Sequence, residues 1–183
     1  MVFLNKLKNT PRDKLLILTA ILGVVIVILI YLLVFIPIEA TLNDYGILDF
    51  EFAWTAERAE AIMFAWGPNG RNKQILAIYW DFIFIIGYVS IAFSLNLLVS
   101  RRLDGKLQNF GIFMTLLGTI SGLFDVIENI NLLLMLDTPT SVSSINSFTA
   151  SLSATFKFGF LIAAIIFFVL ALIILLIKKV KKK

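Results

Sequence analysis

Four ionisable residues sit inside stretches that are otherwise oily: Asp81, Asp125, Glu128 and Lys157. A charge in hydrocarbon is costly unless it is paired or hydrated, so each one requires a reason. Two carboxyls in such a setting can act as acid and base, and a buried lysine can hold an anion or change its protonation. Asp125, Glu128 and Asn129 share one helical face by i, i+3 and i+4 spacing, with Ser121 a turn below and Leu132 above. Asp81 and Tyr88 fall on one face with Ile85 and Ala92, and Lys157 aligns with Ser153, Phe160 and Ala164. The expected site is therefore Asp81, Tyr88, Asp125, Glu128, Asn129 and Lys157, gathered from three helices.

The missing residue types narrow the chemistry. With no Cys and no His in the chain, thiolate nucleophiles, Ser-His-Asp triads and the usual zinc, copper and haem ligand sets are impossible. No metal site and no cofactor is expected. P-loop, dinucleotide-binding, zincin and hydrolase-elbow patterns are absent. Neither Asp125-x-x-Glu128-Asn129 nor Tyr79-Trp80-Asp81 is a known catalytic signature, so catalytic residues are unassigned and enzyme activity is left open.

The elements that position these groups follow from composition. Of 183 residues, 60% are hydrophobic and 15% charged, against about 25% charged in a soluble domain. Such a chain is an integral membrane protein. Runs from about 15–37, 75–99, 110–136 and 152–177 each match the roughly 20 residues that cross a ~30 Å hydrocarbon core. Open strands leave their backbone unsatisfied in lipid and alternating ten-residue patterns are missing, so the spans are helices. The fold class is all-α, a polytopic four-helix bundle forming a single membrane domain over 1–183. Gly118 and Gly122, a small-xxx-small pair, let a neighbouring helix approach the third span closely.

Basic residues orient the bundle. Lys6, Lys8, Arg12 and Lys14 precede the first span, and Arg101, Arg102 and Lys106 join the second and third. Lys178, Lys179, Lys181, Lys182 and Lys183 follow the fourth, so twelve of the 16 Lys and Arg share one side. The positive-inside rule makes both termini cytoplasmic, N-in and C-in. The net charge of +4 thus reflects topology and attraction to anionic lipid, with no nucleic-acid partner implied. A prokaryotic plasma membrane suits a chain without N-x-Ser/Thr sites.

The outer connection, 38–74, is too long for a simple hairpin. Its first half is acidic and aromatic, with Glu39, Asp44, Tyr45, Asp49, Phe50, Glu51, Phe52 and Trp54. The second half reads as a short interfacial helix over about 55–66, capped by Thr55 and ended by Gly67-Pro68-Asn69-Gly70. Ala59, Ile62, Met63 and Trp66 would form its apolar face, with Trp54 and Trp66 at headgroup level. The segment either covers the bundle's end or, through Trp54, Arg58 and Trp66, serves as a lid. The stretch from Asp137 to Ser147 reads as an ordinary connector.

Counted from the outer ends of their spans, Asp81, Glu128, Asp125 and Lys157 lie about 10, 13, 18 and 8 Å deep at ~1.5 Å per residue. A common depth argues for one polar pocket in the outer half of the bilayer. Three acids against one lysine leave a negative surplus, to be offset by protons, a cation, a cationic ligand, or Arg58 or Arg71 folding in from the loop. The functional expectation is binding of a small or lipid-like ligand, with transport or conversion as extensions. The alternative is an accessory or scaffold subunit, or a homo-oligomer, in which the buried charges only fix helix register and an unadorned first span faces a membrane protein partner.

Overall fold

A computed structural model of the chain describes residues 6–42 and 44–181. Lys182 and Lys183 of the terminal basic cluster lie outside them. The described chain is 85% helical, with no strand among the described residues. Four helices are long and apolar enough to cross a membrane: α1 (Asp13–Glu39), α3 (Ala56–Ser100), α4 (Gly105–Asp137) and α5 (Ser144–Val180). A five-residue helix, α2 (Ile47–Glu51), lies in the connection between α1 and α3.

Helix α4 packs against both α3 and α5, and α1 makes its substantial contact with α3. Small residues set these approaches. A Cβ at Gly23 on α1 would fall 2.5 Å from the Gly87 carbonyl oxygen of α3, so the two backbones are nearly in contact there. The hydroxyls of Thr19 and Ser94 share a 2.7 Å hydrogen bond across the same seam. On α4, Gly118 faces Ala164 of α5 and Ala92 of α3, and Gly122 faces Val89 and Ile85. The small-residue pair thus admits α3 along its length and α5 at Gly118.

Helix α3 departs from expectation at its start. The Gly67-Pro68 step ends the first arm, 56–66, but no loop follows, and the helix resumes at Pro68. Gly67 carries the break alone, with φ 63° and ψ −179°, a conformation essentially restricted to glycine. Proline is well placed as the first residue of a new helix, where its missing N–H has no partner to lose. The second span therefore starts about two turns before residue 75. Helix α5 likewise begins at Ser144, which shortens the connector after α4.

The first arm is capped as its sequence suggests, with the Arg58 N–H donating to Thr55 Oγ1 at 3.2 Å. Its apolar face, Ala59, Ile62, Met63 and Trp66, is buried with Phe50 of α2 and with Leu132 and Met135 of α4. Trp66 is 7% exposed and its Nε1 donates to the Tyr45 carbonyl at 2.7 Å. That face is turned into the protein, where it holds the cap of the bundle together.

Helix α1 contains a π-turn over Tyr31–Phe35, just before Pro37. Proline offers no N–H to the preceding turn and its ring crowds the carbonyl four residues back. A widened turn is one way a helix passes such a residue without breaking. At the opposite end of the bundle, Arg101 ties the chain's start to the end of α3. Its guanidinium donates to the Leu7 and Pro11 carbonyls and to Asp13 Oδ1 at 2.7–2.9 Å.

Candidate functional site

Beneath α2 lies a cavity of about 600 Å³, within the usual range for small-molecule sites. Every helix contributes to its wall. Tyr31 and Phe35 come from α1, Leu48 and Glu51 from α2, Gln74, Asp81 and Tyr88 from α3, Asp125 and Asn129 from α4, and Lys157 from α5. The wider π-turn of α1 supplies the aromatic pair on its side of the cavity.

Lys157 is the hub. It is 6% exposed, and its ammonium donates to Glu128 Oε1 at 2.8 Å, Asp125 Oδ1 at 3.2 Å and Glu51 Oε2 at 3.4 Å. An ammonium has three N–H donors, and three carboxyls use all of them. Its charge also lies 4.7 Å from the centroid of the Phe158 ring. The network extends along α3 and α4, where Tyr88 Oη donates to Asp125 Oδ2 at 2.8 Å. Asn129 Nδ2 donates to Asp81 Oδ2 at 2.6 Å.

Of the expected residues, Asp81, Tyr88, Asp125, Asn129 and Lys157 line this one cavity, and Glu128, fully buried, stands against Lys157. The lining includes none of Trp54, Arg58 and Trp66. Arg58 sits over the Tyr45 ring at 4.8 Å and 4.0 Å from Asp49, and Arg71 reaches the Met63 carbonyl at 3.4 Å. Neither arginine folds into the acidic cluster. Among the described residues, the Asn131 side chain donates to the Ile127 carbonyl of its own helix and reaches none of the cluster's acids.

Two residues of the site lie beyond the sequence reading. Glu51 stands in the acidic connection, where a carboxylate is ordinarily solvated, yet the fold buries it to 9% exposure on Lys157. Burial pushes its carboxyl up from the ordinary range, the Lys157 ammonium pulls it back, and Asp125 adds to the rise. Gln74 was legible only as a span boundary. It is 1% exposed, faces the cavity, and neither its amide nitrogen nor its amide oxygen has a hydrogen-bond partner.

Around the cavity four carboxyls, Glu51, Asp81, Asp125 and Glu128, face a single ammonium. Among the described residues, no group of three or more acids is arranged to hold a metal ion. Proton exchange between carboxyls and reception of a cationic or hydrogen-bonding ligand are the chemistries this arrangement permits. Comparison with protein-family models, with curated proteins and with solved structures returns no match.

Proposed function

We propose that this chain is a multi-pass membrane protein that binds a small or lipid-like ligand in the cavity between α1, α3, α4 and α5, beneath α2. The single observation carrying this reading is the cavity of about 600 Å³ that reaches the Lys157 cluster. Register alone would need an ion pair. It would not need that space, nor an unpartnered Gln74 beside it. In the orientation set by the flanking basic residues, N-in and C-in, the cavity belongs to the outer half of the bilayer and α2 forms its outer cover. Transport or conversion of the ligand would use the same groups, with the carboxyls as proton donors and acceptors.

Mass analysis of small molecules retained by the purified protein in mild detergent tests this reading. A stoichiometric ligand that is lost in Asp81→Asn, with the helical content kept, is the expected outcome. A protein that retains and takes up nothing overturns it.

A second reading, an accessory subunit or homo-oligomer, draws on α1. Only 11% of its most apolar window is buried, which leaves a long face for lipid or a partner helix. Native mass measurement separates the two, since a stable monomer counts against the subunit reading.

A further inference from the structure

We infer that the ligand of this cavity is a cationic amphiphile, an ammonium group on a single apolar chain. The inference rests on the reading of the cavity as a ligand site and assigns that ligand its chemistry.

Charge sets the head. Four carboxyls meet one ammonium, and that ammonium already donates to three of them. An anionic group entering the cavity would find no free cationic donor there and would face Asp81, Glu51 and Asp125. An ammonium would instead offset the surplus. Gln74 supplies an independent indication that a polar group belongs here: it lines the cavity, is 1% exposed and leaves both amide atoms unpartnered, and its oxygen would be satisfied by an N–H of the ligand. Aromatic rings complete the wall. Phe35 and Phe84 pack at 5.1 Å and Phe84 and Tyr88 at 6.0 Å between centroids, and aromatic faces beside acids are how proteins recognise alkylammonium groups.

A second space sets the tail. A crevice of about 180 Å³ shares Tyr88 and Leu161 with the cavity and runs on to Ile165 and Phe168 of α5. From Leu161 to Phe168 it follows α5 for about 10 Å at ~1.5 Å per residue. Val27, Ile91 and Leu95 close its other sides. This is the seam between α1 and α5, two helices that do not pack closely on each other. An amphiphile from the bilayer reaches the site through that seam, head toward Asp81 and chain along α5.

The test uses the full-length protein in maltoside micelles with three chain-matched photoreactive probes: hexadecylamine, hexadecanoic acid and hexadecanol, each with a mid-chain diazirine. The expected result is labelling of the crevice peptides around Val27 and Leu161 to Phe168 by the amine, chased by unlabelled hexadecylamine. The acid and alcohol should label them on the order of tenfold less or weaker. Asp81→Asn should weaken amine labelling by a similar factor, and so should Gln74→Leu, which leaves every charge in place. Equal labelling by acid or alcohol overturns the ammonium assignment while the ligand reading stands. No chaseable labelling of the cavity or crevice by any probe overturns both.

Discussion

Glu51 and Lys157, 106 positions apart, meet at 3.4 Å, and their contact joins the connection between α1 and α3 to the buried charge cluster of the bundle. Glu51 belongs to a five-residue helix that is too short to hold itself together in isolation. Its docking therefore depends on this contact and on the burial of Phe50 against Trp66, whose rings lie 5.1 Å apart.

The docking should respond to pH. Burial raises the Glu51 carboxyl above its ordinary value near 4.5, so between that value and the raised one the docked state holds a proton that the undocked segment releases. The stabilisation is fully present below that ordinary value and is lost as pH rises through the raised one. Asp125 and Glu128 of α4 and Lys157 of α5 face the same carboxyl. Protection factors of residues 44–55, with exchange corrected for its intrinsic base catalysis, should fall with rising pH in the native protein. Glu51→Gln, which keeps the shape and fixes the uncharged state, should flatten that dependence.

Removing the hub should be far more damaging than removing any one acid. Lys157→Met leaves Glu128, Asp125 and Glu51 buried around an apolar side chain, and uncompensated buried charge of this kind costs about 3–5 kcal/mol. Thermal unfolding in detergent should show a correspondingly large loss for Lys157→Met. Adding Glu128→Gln to it should recover part of that loss, because one fewer carboxyl is then stranded.

Gly67 offers a test of backbone conformation alone. A Cβ there would meet nothing within 4 Å, so Gly67→Ala introduces no clash. Its cost, about 1–3 kcal/mol, comes from forcing an L-residue into φ 63°, ψ −179°. Trp66 fluorescence should report a loosened cap at lower denaturant while the spans keep their helical signal.

The seam between α1 and α3 can be probed through a property of the composition. Because the chain has no Cys, Thr19→Cys with Ser94→Cys gives a unique pair at the position of their 2.7 Å hydrogen bond. Cross-linking should be efficient. Adding Gly23→Leu, which drives a side chain into the Gly87 carbonyl and Ile91, should destabilise the seam by about 1–3 kcal/mol and reduce the cross-link several-fold.

Much of this arrangement is legible in the sequence. Helical spacing alone puts Asp125, Glu128 and Asn129 on one face, and the long uncharged runs mark the four helices. What escapes it has definite physical causes. Glu51 lies in a polar connection, and only tertiary packing of Phe50 and Trp66 carries it inward. Gly67-Pro68 has the composition of a terminator, yet proline fits a first helical turn as well as it ends one, so the same letters mark a restart. Pro37 marks a disturbance in α1 but not its form: the helix is apolar on all sides and carries no phase that the extra residue of a π-turn could shift.

That turn bears on what α1 can tolerate. A π-turn holds one residue more than an α-turn, so the segment Ile36–Glu39 is rotated by about 100° from where an unbroken α-helix would aim it, given 3.6 residues per turn. Deleting one residue between Tyr31 and Phe35 would let the hydrogen-bond ladder close into a regular helix with no loss of hydrophobicity. Ile36 and Ile38, which line the cavity, would keep their facing, because the deletion removes the one residue that the wide turn absorbs. The top of α1 is in effect a separately keyed wall: tightening the wide turn at full length would swing it about 100° off the cavity, whereas losing one residue there would not.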